Sequence, residues 1–153
     1  MEYTVEVYKS NRGKVLIVPY GFDKNGVRRA LNFPRQLPSI QENRDLGLAV
    51  RESFLMSKNS PVIEDVKLLP NVFEAATGTK SWTKFAKEHL LVDCSWEPGQ
   101  GFIFEPMERQ KDSSYMPRKN QEIIKLNVNS TDEEIGQAIQ KAFSFVSRGR
   151  QTV

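Results

Sequence analysis

Apolar residues change their spacing several times along this chain, and each change marks an element. Tyr3, Val5 and Val7 alternate with Glu2, Thr4 and Glu6, the period of a half-buried strand. Ser10 to Gly13 reads as a turn. Val15, Leu16, Ile17 and Val18 then run together as a strand covered on both faces, so the first segment is a hairpin. Gly21 to Pro38 has no period and reads as a long irregular connection, a kind of segment that often carries function. Gln41 to Lys58 shows helical spacing, with Leu46, Ala49, Val50, Ser53 and Phe54 on one side and Gly47 weakening it. Asn59-Ser60-Pro61 ends that helix. Val66 to Val72 is ambiguous, and Ser81 to Lys87 reads as a short helical turn around Trp82 and Phe85.

Leu90, Leu91 and Val92 open a strand that runs through Cys94 and Trp96. Glu97-Pro98-Gly99 is a tight-turn signal, and Phe102-Ile103-Phe104 returns as the second arm of another hairpin. Met107 to Asn120 is polar and reads as an exposed loop. Ile123, Ile124, Leu126 and Val128 give the last strand. Ser130 precedes Glu133 at the capping-box spacing, and Asp132, Glu133 and Glu134 put negative charge on the first helical turn. Ile135, Ala138, Ile139, Ala142, Phe143 and Val146 make one apolar face, with Gly149 as the expected stop. Hairpins without an alternating βαβ pattern predict a single α+β domain over residues 1–153, built on a mainly antiparallel sheet of about five strands packed by two main helices.

Composition narrows the class. The chain has 153 residues, a net charge of +3 and a single cysteine, so an internal disulfide is excluded. It begins without a basic region followed by an apolar run, and it has no stretch of about 20 apolar residues, so a cytosolic protein without a membrane span is expected. Charge is uneven. Met1–Leu37 carries seven Lys and Arg against three Asp and Glu, whereas Pro38–Thr79 carries four against six.

Candidate chemistry is sparse. One histidine, His89, and one cysteine, Cys94, cannot make an ordinary zinc site. A Cys–His nucleophile pair would require the chain to fold back, and no serine lies in a nucleophile-elbow sequence. The glycines match no phosphate-binding loop. Glu64-Asp65 reads as a solvated loop. No catalytic, metal-binding or cofactor-binding residue is therefore assigned, and no cofactor is expected. Aromatic residues with basic neighbours, Phe33 with Arg28, Arg29 and Arg35, and Tyr115 with Arg109, Lys111 and Arg118, fit either RNA or a protein partner.

The C-terminal run, a strand IIKLNV followed by STDEEIGQAIQKAF, resembles the end of the immunity proteins of bacterial contact-dependent growth inhibition (CDI) systems. The matching positions are Asp132, Glu133, Glu134, Ile135, Gly136, Ala138, Ala142 and Phe143. Gly78 to Phe85 and the Glu97-Pro98-Gly99 turn are similar to that family too. The resemblance implies a cytosolic inhibitor, not an enzyme. Its partner would be a toxin domain, the C-terminal domain of a large secreted protein, and the toxin is expected to be a nuclease, an RNase among the known cases. Neutralisation would come from a tight one-to-one complex, with no direct contact to nucleic acid. The matching residues determine the fold and do not mark the contact surface. From exposure and residue type, the expected contacts are Arg28, Arg29, Glu108, Arg109, Lys111, Asp112 and Tyr115, in the two irregular segments. The alternative is a small basic RNA- or protein-binding module without catalytic activity. A net basic inhibitor of a phosphate-binding toxin is electrostatically awkward, which leaves either the acidic middle of the chain or a local match of charge to make the contact.

Overall fold

The computed structural model describes residues 1–117 and 123–151, with no side chains described beyond Val146. The fold is α+β, with an antiparallel sheet whose faces are both packed by helices. Strands β1 (Tyr3–Ser10) and β2 (Val15–Phe22) form the first hairpin, and β5 (His89–Glu97) and β6 (Gly101–Arg109) form the second. The hairpins join through β1 and β5, with Val7 opposite Val92. The order of the long strands is therefore β2-β1-β5-β6.

Short strands complete both outer edges. Strands β3 (Arg28–Ala30) and β4 (Arg35–Leu37) pair with opposite ends of β2, so the connection expected to be irregular contains two strands. They are too short to show a period of two, which is why the pattern missed them. On the other side, β7 (Tyr115–Pro117) and β8 (Ile124–Leu126) pair with opposite ends of β6. Met107 to Asn120 is thus not one exposed loop. It holds the end of β6, a turn and β7, and its last three residues lie outside the described part. Pro19 and Pro106 lie mid-strand in the two outer long strands, where a missing N–H prevents full pairing.

One face of the sheet is covered by α1 (Asn43–Asn59) and the long helix that ends the described chain. Between them come the short helices α2 (Val72–Thr77) and α3 (Trp82–Glu88), so the long C-terminal helix Asp132–Gln151 is α4. The sheet contributes Val5, Val7, Val15, Ile17, Val92, Cys94, Phe102 and Phe104 to this main core. The helices contribute the expected stripes, Leu46, Ala49, Val50 and Phe54 from α1 and Ile135, Ile139, Ala142 and Phe143 from α4. On the other face α2 and α3 make a second core, where Val72 and Phe85 meet Tyr8, Leu16, Val18 and Leu91. Two cores explain why Val15 to Val18 is buried at every position.

Close passage of α1 and α4 depends on two glycines. A β-carbon on Gly47 would overlap the carbonyl of Asp132, and one on Gly136 would overlap the carbonyl of Asn43. Gly47 is therefore a crossing point, and the Ile-Gly-x-Ala pattern has a packing cause. Arg51 ties the same helices together, with Nε donating to Asp132 Oδ1 at 2.7 Å and Nη2 to the Ser130 carbonyl at 2.6 Å. The capping box lies one residue later than expected. Thr131 Oγ1 accepts from the Glu134 N–H at 3.2 Å, and Glu134 Oε1 accepts from the Thr131 N–H at 3.0 Å. Helix α4 continues through Gly149 to Gln151.

Candidate functional site

Position in the sheet separates the seven expected contacts. Arg28, on β3, points along the sheet surface, with its guanidinium 3.4 Å from Glu2 Oε1 and 5.5 Å from the centre of the Phe22 ring. Arg29 is held by Asp23, Nε to Oδ2 at 3.1 Å. Asp23 is buried and also accepts from the N–H groups of Val27 and Asn25, and these bonds hold its carboxyl below the usual range. The Asp23–Arg29 pair therefore closes the β2–β3 turn.

Glu108 and Arg109 end β6, the first exposed and the second partly buried. Lys111 and Asp112 sit in the following turn, where Asp112 Oδ1 accepts from the Ser114 hydroxyl at 2.6 Å and its N–H at 3.0 Å. These bonds hold the Asp112 carboxyl low. Tyr115 faces inward. Its ring meets Tyr8 and Trp82, and its hydroxyl donates to the carbonyls of Ala86 at 3.1 Å and His89 at 2.9 Å. The structure thus groups Glu108, Arg109, Lys111 and Asp112 on one β6–β7 hairpin and places Arg28 and Arg29 across the sheet from it.

The cysteine and histidine are separated by the pleat. Successive side chains of a strand point to opposite faces, so His89 shares a face with Leu91 whereas Cys94 points into the main core. The His89 ring stacks on Phe85 at 3.9 Å, and its Nδ1 lies 2.7 Å from the Phe85 carbonyl oxygen. Burial raises the Cys94 thiol well above its ordinary pKa. Neither residue is placed to act with the other.

Two surfaces remain that periodicity along the chain does not reveal. The first is a cleft of about 610 Å³ beside the β1–β2 turn, below α2 and α3. Arg12, Lys14 and Lys84 line it against Glu88, so it is cationic. The second is the half of the α2–α3 face that these helices leave uncovered. Here Glu6 lies opposite Asp93, and Asp93 opposite Glu105, so three carboxylates form a row across β1, β5 and β6. Like charges directly opposite each other destabilise a sheet. Glu6 is satisfied by the hydroxyls of Tyr8, at 2.8 Å, and of Tyr20. Asp93 and Glu105 make no hydrogen bond or ion pair among the described residues. Burial, with Glu6 and Glu105 on either side, pushes the Asp93 carboxyl up to about 7. Burial raises Glu6 too, although both tyrosines oppose that shift. No spacing rule would find this row, because its members come from strands distant in sequence.

Among the described residues no group of three or more His, Cys, Asp or Glu is placed to hold a metal ion, and no helix is long and apolar enough to cross a membrane. The geometry is that of a small α+β domain whose prominent surfaces carry charge. Residues 25–145 match the family of CdiI, the CDI immunity proteins, and the chain belongs to that family. The fold is shared with solved structures at low identity. One is a protein of unknown function from Neisseria meningitidis, with a TM-score of 0.70, 17% identity and 95% of each chain covered. Another is a CdiA-CT/CdiI toxin and immunity complex from Yersinia pseudotuberculosis, with a TM-score of 0.71, 14% identity, and 94% of this chain and 97% of that chain covered. No curated protein matches the sequence.

Proposed function

We propose that this protein is the immunity partner of a CDI toxin. In this reading it works in the cytosol, binds the toxin domain delivered by a neighbouring cell, the C-terminal domain of a large secreted protein, and performs no reaction of its own. The toxin is a nuclease, most simply an RNase. Neutralisation comes from a tight stoichiometric complex that blocks the active site or the approach of substrate. The observation that carries the reading is the family match over residues 25–145. The same fold in a toxin and immunity complex supports it.

The proposed contacts are Arg28, Arg29, Glu108, Arg109, Lys111, Asp112 and Tyr115. Arg29, Asp112 and Tyr115 also hold their own turns or the second core, so the informative substitutions are at Arg28, Glu108, Arg109 and Lys111. An interface hot spot at any of these would weaken binding by about 2 kcal/mol or more on truncation to alanine.

The reading is tested by co-expression with the toxin domain encoded immediately upstream. Restored growth and a complex that co-purifies are expected. Absence of both, with each protein folded, would overturn it. The cationic cleft supports one second reading, RNA binding, which predicts affinity that falls steeply with salt for RNA alone.

A further inference from the structure

The row of Glu6, Asp93 and Glu105 is an unusual thing to find across the middle of a sheet. Packing alone would favour apolar or oppositely charged residues at these positions. The neighbouring row carries a second anomaly. Thr4 lies on the same face between Glu2 and Glu6, opposite Ser95 and diagonal to Asp93. The residue is only 8% exposed, and its hydroxyl oxygen has no hydrogen-bond partner among the described residues. A buried hydroxyl without a partner is rare in a folded protein. A depression of about 230 Å³ lined by Glu2, Ser95 and Ile103 leads onto the same half-face.

The cations on this face stand at its two edges. Arg28 on β3 is engaged with Glu2, and Lys125 on β8 lies opposite Ile103. Neither makes an ion pair with Asp93 or Glu105 among the described residues; the Arg28 charge reaches Asp93 from a distance and only partly opposes the rise of its carboxyl. The acids are spread along a row and do not converge, and no metal-binding group is present among the described residues. The chemistry that matches is a set of donors spaced along a polypeptide.

We propose that this half-face, centred on Asp93, Glu105 and Thr4, is a docking site for an arginine- or lysine-bearing segment of the toxin partner. The proposal rests on the immunity reading and supplies its missing electrostatic logic. A net basic chain can bind a basic, phosphate-seeking toxin when its acids are gathered on one face. A guanidinium paired with Asp93 would donate to carboxylate oxygens and could donate a further N–H to the Thr4 hydroxyl. The raised Asp93 carboxyl adds a signature. A cation beside it lowers that value, so complex formation near pH 7 releases protons.

The test is titration calorimetry of the upstream-encoded toxin domain against the wild-type protein and the D93N/E105Q variant, at two salt concentrations and in two buffers of different ionisation enthalpy. The variant is expected to bind at least tenfold more weakly, with a shallower salt dependence and without proton release. Its own Tm should rise, because the opposed charges are gone. A gain in stability together with a loss of affinity is not what a purely structural role would give. A variant that binds within tenfold of wild type overturns the docking site and leaves the immunity reading standing. Failure of the wild-type protein itself to bind the toxin overturns both.

Discussion

At the scale of single residues, Asp93 carries the most consequence. Its carboxyl sits between Glu6 and Glu105 and is pushed up to about 7, from 3.8 for a free side chain. Between these two values the folded chain holds a proton that the unfolded chain has released. The contribution of Asp93 to stability therefore falls as pH rises from about 4 to about 7 and is constant above that. Asp93→Asn should raise Tm, with the gain absent at the acid end of this window and complete above pH 7, as thermal melts across the range would show. Tyr115 gives the opposite lesson. Its hydroxyl is shared by the carbonyls of Ala86 and His89, so Tyr115→Phe should cost about 1 kcal/mol in urea denaturation. In the sequence Tyr115 is an aromatic among basic residues, the composition of a contact anchor. Only its placement beneath α3 shows that its ring belongs to the second core. Cys94 lies on a strand that the sequence predicts, and alternation along β5 places it among the core positions of the main face.

Single elements show how far local signals reach. The two long helices were visible in the sequence to within about two residues at their starts, since helical apolar spacing survives without knowledge of the partner. Gly47 was not legible in the same way. By propensity it weakens α1, and only the crossing of α4 gives it a purpose. Gly136→Ala should cost roughly 3 kcal/mol, the upper end for overpacking, because backbone cannot give way as a side chain does. Chemical denaturation would measure it, and a cost no larger than that of an exposed substitution would refute the crossing. The cap of α4 also needed the structure. Ser130 and Thr131 both stand three residues before a glutamate, and spacing does not choose between them. Thr131→Ala should cost about 1 kcal/mol as a lost cap. Ser130 instead turns its carbonyl to Arg51 and is buried. The docking of α1 decides which residue becomes the cap.

Over the whole molecule, a net charge of +3 conceals two fields of opposite sign. Arg12, Lys14 and Lys84 gather at the cleft, and Glu2, Glu6, Asp93 and Glu105 gather on the uncovered half-face. Such separation steers an encounter more than it sets final affinity. The association rate with the toxin domain should therefore fall by about tenfold between low and high salt, with a smaller change in dissociation rate, in a stopped-flow or biosensor experiment. Equal effects on both rates would argue against steering. The sequence by itself determined the class of fold, the two hairpins, the paired long helices and the family, because periodicity and turn residues are properties of neighbours along the chain. Of the short edge strands it reached β8, through Ile124 and Leu126, whereas β3, β4 and β7 escaped it, since three residues carry too little pattern and exist only by pairing with β2 and β6. Tertiary structure alone decided the strand register. Register brings Glu6, Asp93 and Glu105 into one row, and the placement of α2 and α3 leaves that row uncovered. A contact between distant strands depends on how the whole sheet is assembled, and no short window of sequence contains it.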